Sequence, residues 1–150
     1  MAPAVALLAV ASLAGCGSAE VAGVAGAAQQ WAARGSDTYS VTVTSSCGER
    51  LLIGTFDVHV VGGVVTSVEG LDEPGRRAAQ VATVGEYVPT VTSLLSRLAI
   101  THREHAPEVM FDPATGMPTH VVLDPLPGSL DDQECYDFSD YSPGAAAASS

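Results

Sequence analysis

Two kinds of apolar patterning divide the chain. Residues 1–16 read MAPAVALLAVASLAGC, where thirteen of sixteen residues are apolar and none is charged. Further on, apolar and polar residues alternate. Residues 39–44 (YSVTVT) alternate with period two and are β-branched, which predicts a first strand. Residues 51–61 predict a second, with Leu52, Phe56, Val58 and Val60 on one face and His59 on the other, in solvent. Gly62-Gly63 is a two-residue hairpin signal, and residues 64–68 return as a third strand. Residues 71–89 mix Gly, Pro and charges and read as a loop. Thr90 then suits the cap of a helix whose apolar stripe is Val91, Leu94, Leu95 and Leu98 and which ends near His105, before Pro107. Residues 108–111, 119–123 and 134–140 predict three more strands. The turn Asp112-Pro113-Ala114-Thr115-Gly116 separates the first two of them, and a Pro/Gly loop over 124–133 precedes the last.

The order βββ-α-βββ predicts an α+β fold, an antiparallel sheet of about six strands with one main helix packed on one face. Cys47 closes the first strand and Cys135 opens the sixth. If those strands are antiparallel neighbours, the cysteines meet at one end and the spatial order is 3-2-1-6-5-4. The connection from third to fourth strand must then cross about 24 Å of sheet. A fourteen-residue helix covers about 21 Å of that distance.

The ends of the chain read differently from its body. The run before Cys16 is shorter than the roughly 20 residues that span a bilayer and has the length of an export signal's apolar core. It ends Leu13-Ala14-Gly15-Cys16, which resembles the lipobox of bacterial lipoprotein signals; no Lys or Arg precedes it, although export signals normally begin basic. The expected organisation is a signal peptide over 1–15, a lipidated Cys16 and flexible tether over 16–29, one globular domain over 30–142 with Trp31 on a short helical turn at its start, and a disordered tail over 143–150.

Composition sharpens this picture. The formal charge is −11, from 17 acidic residues against six Arg and no Lys, and every charged residue but Glu20 lies within 30–142. Phosphate contacts need a basic surface, so a nucleic-acid partner is not expected. With Cys16 acylated, Cys47 and Cys135 remain as a pair in an oxidising compartment, and a disulfide is the natural reading. A redox-active pair and a metal site are the alternatives; the first lacks Cys-x-x-Cys spacing and the second lacks four ligands.

Few residues suggest catalysis. His102 and His105 stand three apart at a helix end, where they could share a metal or simply answer the helix dipole. His120 has no evident partner. Asp131, Asp132, Glu134, Asp137 and Asp140 form an acidic run around the last strand, without the spacing of a calcium loop, and read as a solvated surface. Gly-x-Ser-x-Gly, Gly-x-Gly-x-x-Gly and a phosphate loop are absent, so no cofactor is expected.

Trp31, Tyr39-x-Val-x-Val and Cys47, then Gly62-Gly63 followed by Val64 and Val65, then Thr90-Val91-x-x-Leu94-Leu95, resemble segments of one family. The most specific piece is Phe111-Asp112-x-x-Thr115-Gly116-Met117-Pro118-Thr119, with Asp124 and Asp131-Asp132-x-Glu134 after it. Together they are similar to the domain of unknown function 6174 family of small bacterial lipoproteins, common in actinobacteria, with Leu95 for the usual Phe and Met117 for the customary Tyr. The resemblance implies a lipid-anchored (palmitate-type) extracytoplasmic domain without assigned activity or catalytic residues. The missing Tyr weakens any ligand-stacking role for that turn. The expected function is a binding or interaction domain of the cell envelope, held to the membrane by lipid on Cys16 and facing an unknown protein or small ligand. An extracytoplasmic hydrolase using acids near the last strand and an inhibitor or immunity-type protein are the alternatives.

Overall fold

The computed structural model describes residues 23–48, 51–81, 83–101, 107–124, 126, 128 and 131–144. The signal, Cys16, and the His102 and His105 positions lie outside them. The fold is α+β, a six-stranded antiparallel sheet with four helices among the described residues. The strands are β1 (Tyr39–Cys47), β2 (Gly54–Val61), β3 (Val64–Gly70), β4 (Glu108–Phe111), β5 (Pro118–Leu123) and β6 (Glu134–Pro143). The helices are α1 (Gly23–Arg34), α2 (Glu73–Ala79), α3 (Val84–Tyr87) and α4 (Val91–Thr101). The sheet order is β3-β2-β1-β6-β5-β4, as the cysteines implied.

Period-two alternation puts one residue in two into the core. Tyr39, Val41 and Val43 of β1 face Val60, Val58 and Phe56 of β2 in register, and all are buried. Tyr136 and Phe138 of β6 continue the same layer, and the α4 stripe of Val91, Leu94, Leu95 and Leu98 closes over it. The other face carries Thr42, Thr44, Thr55, Asp57, His59, His120 and Asp137, of which Asp137 is exposed and the rest half-buried.

The last strand is irregular near its end. Between Ser40 and Thr42 the β6 partners jump from Ser142 to Ser139, so β6 carries one extra residue there, and Asp140 sits at φ 53. The extra residue reverses the alternation. Tyr141 is thereby turned to the helix side, against Trp31 and Tyr39.

Three expectations need correction. The tether does not extend to residue 29: residues 23–29 form the first turns of α1, where Val24 and Ala27 are buried with Trp31 at a helical spacing. The body therefore begins at Gly23. It also ends later than residue 142, because Pro143 of the expected tail pairs with Tyr39. The stretch 71–89 is not a plain loop, since it holds α2 and α3. Asp72 caps α2 by accepting from the Gly75 N–H at 2.7 Å, and its other oxygen accepts from the Thr55 N–H at 3.0 Å. The described part of α4 is eleven residues, about 16 Å of rise, and its expected continuation to His105 lies outside the described residues. α2 and α3 carry the chain over β3 and β2 before α4 takes it toward β5.

Candidate functional site

α1 and α4 lie side by side on the helix layer, and the space between them is a candidate binding groove. Its anchor is Trp31, the single tryptophan of the chain. The indole is 7% exposed and its Nε1–H donates to Thr92 Oγ1 of α4 at 3.2 Å, so the ring is tied to both helices. Gly35 lies against the ring; a Cβ there would stand 2.4 Å from an indole carbon. Tyr39 and Tyr141 meet the indole with ring centroids 5.7 and 5.5 Å away. Their hydroxyls accept from backbone amides, Tyr39 from Val91 N–H at the start of α4 and Tyr141 from Ser36 N–H after α1. Burial raises both phenol pKa values, against the lowering effect of those amide bonds, so both rings stay neutral. Three aromatic rings thus fix the positions of α1, the α1–β1 connection and the first turn of α4.

The groove holds about 420 Å³, within the range of small-molecule sites. Ala28 and Ala32 of α1 form one wall, Leu95 and Ala99 of α4 the other, and Ser36 and Asp37 close one end. The space exists because the facing positions are small. The turn Asp112–Gly116 braces α1 from outside: Gln30 Nε2 donates to the Pro113 carbonyl and Arg34 to that of Ala114. Gly116, at φ 77, lets this turn approach, since a Cβ there would stand 2.3 Å from the Ala27 carbonyl oxygen. Asp112 organises the turn, accepting from Thr115 Oγ1 at 2.5 Å and from the Ala114 and Thr115 amides. The Thr115 hydroxyl is the largest influence holding that carboxyl below its ordinary value.

Of the residues singled out in the sequence, Cys47 and Cys135 are joined in a disulfide with Cα atoms 5.3 Å apart. The acidic run is not uniformly solvated. Glu134 is 5% exposed and lies under α4, with Oε1 at 2.5 Å from Arg97 and Oε2 accepting from the Tyr136 hydroxyl at 2.7 Å. Burial works against the Arg97 charge, but the hydrogen bond and charge of Glu134 outweigh it and hold that guanidinium above its ordinary pKa. His120, which has no evident partner along the sequence, places Nδ1 at 2.6 Å from Asp137, and its Nε2 faces Glu108 at 3.9 Å. Both ring nitrogens therefore point at carboxylates. His59 is half-buried rather than free in solvent, 3.2 Å from Asp57. Among the described residues no group of three or more His, Cys, Asp or Glu side chains is placed to hold a metal ion. No described helix is long and apolar enough to cross a membrane.

The groove is not among the sequence-based expectations. The available signal was Val24, Ala27 and Trp31 at helical spacing, with Ala28 and Ala32 one turn apart on the adjoining face, inside a segment whose Gly and Ala content suggests a tether.

No curated protein and no solved structure matches the chain. The family of unknown function DUF6174 matches residues 24–143, from the first turn of α1 to the last residue of β6, and the chain belongs to that family.

Proposed function

We propose that this chain is a lipid-anchored extracytoplasmic binding domain that takes a small apolar ligand in the groove between α1 and α4. The observation that carries the reading is the groove: an apolar space walled by alanines and Leu95 beside a tryptophan that three elements hold in place. The layer between sheet and helices is filled by side chains, so a ligand has room above α1 and α4 rather than beneath them. The lipobox before Cys16 supports the anchor, and the Cys47–Cys135 disulfide supports an oxidising, extracytoplasmic setting. For the hydrolase alternative, Glu134 meets Arg97 and Tyr136 rather than a histidine, and the one acid of β6 described beside a histidine, Asp137 with His120, lies on the sheet face away from the helices and the groove.

Trp31 makes the test direct. Titration of the full chain with the neutral probe Nile red is expected to raise probe emission and quench Trp31 by energy transfer. Ala32→Phe, at an exposed position, fills the groove without touching the core and is expected to weaken binding about tenfold or more, equivalent to about 1.4 kcal/mol. Equal binding by the variant overturns the site. For the anchor, mass spectrometry of the membrane fraction is expected to show an acylated Cys16 at the mature N-terminus. A water-soluble chain still beginning at Met1 overturns it.

A further inference from the structure

The groove between α1 and α4 has a polarity along its length. Its walls are apolar, and its one charged lining residue, Asp37, stands at one end. No Arg lines it. The two Arg of these helices are turned elsewhere: Arg34 Nη1 donates to the Ala114 carbonyl at 3.4 Å, and Arg97 reaches Glu134 below α4. The Asp37 side chain is exposed and meets the Thr38 hydroxyl at 3.3 Å. Among the described residues the ion pairs of Arg are those of Arg77 with Glu73 and Arg97 with Glu134, so Asp37 has no cation of its own.

Donors and acceptors are as unequal as the charges. The Trp31 Nε1–H goes to Thr92 Oγ1, the Ser96 hydroxyl donates to the Thr92 carbonyl at 2.9 Å, and the Ser36 hydroxyl donates to the Thr38 carbonyl at 2.7 Å. The Tyr141 hydroxyl accepts the Ser36 N–H. The first turn of α4, where an anion would otherwise find open amides, is engaged as well: Val91 N–H donates to the Tyr39 hydroxyl and Ser93 N–H to Thr90 Oγ1. What the groove chiefly holds out to a ligand is therefore acceptor capacity, and its strongest acceptor is a carboxylate.

We propose that the groove selects an apolar ligand bearing one protonated amine, with the hydrocarbon part between the alanines and the ammonium group at Asp37. This selection presupposes that the groove is a binding site and narrows its ligand class. An alkylammonium group carries three donors, no acceptor and a positive charge, the complement of that end. A carboxylate ligand of the same shape sets its charge against Asp37, and a neutral alcohol forgoes the ionic contact. The chain's charge of −11 draws cations toward the whole surface without choosing a place. Asp37 supplies the choice.

The test is displacement of Nile red from the full chain by octylammonium, octanol and octanoate, at neutral pH and low salt. Exposed ion pairs change affinity by up to about fivefold, so octylammonium is expected to bind about two- to fivefold more tightly than octanol, with octanoate weakest. In about 1 M salt, where the Debye length is about 3 Å, the gap between amine and alcohol is expected to close. Asp37→Asn is expected to bring octylammonium level with octanol, and Asp37→Glu to keep the preference. Glu69→Gln makes the same change in net charge at an exposed position on β3 and is expected to leave the preference in place. A preference that survives Asp37→Asn, or octylammonium binding that Ala32→Phe does not weaken, overturns the assignment. If octanol displaces the probe and octylammonium does no better, the selection is overturned and the groove stands. If none of the three displaces it, the groove falls as a binding site and the selection with it.

Discussion

The Glu134 carboxylate has its two oxygens divided between a guanidinium and a phenol beneath a helix. Dehydrating both charges offsets most of what their attraction contributes, so such a pair adds little net stability, yet removing one partner strands the other. Glu134→Gln is expected to lower the unfolding free energy by about 1–3 kcal/mol. That is less than the roughly 3–5 kcal/mol typical of a fully buried pair, because the Arg97 side chain is 43% exposed and still meets water. Urea denaturation measures it, and Arg97→Met combined with Glu134→Leu is expected to recover most of the loss; a double variant as unstable as the single one contradicts this balance of terms. Part of the arrangement was legible. Glu134, Tyr136 and Phe138 share parity, which places Glu134 on the buried face once β6 is recognised. Its neighbours Asp131 and Asp132 disguised it as one more surface acid, and its partner lies 37 residues earlier on α4, beyond the reach of local pattern.

At the scale of elements, helices in this fold are short and depend on their ends. α2 has seven residues, one of them a glycine, and Asp72 supplies the cap that starts it. Asp72→Ala is expected to cost about 1 kcal/mol, within the roughly 0.5–2 kcal/mol range for lost caps. The amides of Thr55 and Gly75 hold the Asp72 carboxyl below its ordinary value of 3.8. A depressed folded-state pKa gives stability that is complete above 3.8 and lost as pH falls through the lower folded value. Thermal melts from neutral pH down to about pH 2 are therefore expected to show a shallower acid decline in Asp72→Ala than in the native chain; parallel declines count against the linkage. Asp72-Glu73-Pro74 is a recognisable helix start, but Gly75 argues against a helix by propensity. The fold demands that glycine, since a Cβ there would stand 2.5 Å from the Thr55 carbonyl oxygen, and a contact of that kind is invisible in sequence. Strands were easier to read because each carries its own period of two, whereas α1 buries only three residues of twelve.

For the whole molecule, strand order was legible because two cysteines at strand ends constrain which strands are neighbours, and the disulfide spans 88 residues. A cross-link closing so long a loop restricts the unfolded chain, and the chain-entropy estimate is about 4–5 kcal/mol. Reduction is expected to lower the urea midpoint by a corresponding amount with the native fold retained at low denaturant, as parallel titrations with and without reductant show; an unchanged midpoint contradicts it. The groove was not legible at this scale, since Trp31 and Thr92 meet across 61 residues and no motif records the meeting. The pairing of β1 with β6 also has a temporal consequence. The strands β1, β2 and β3 can zip up from one neighbour to the next, and so can β4, β5 and β6, but the seam at the middle of the sheet joins the first strand to the last. Contacts so distant along the chain form slowly. A chain that emerges amino end first keeps the β6-facing edge of β1 unpaired until its final strand has followed, and only then can the cysteine pair close and fasten a finished sheet.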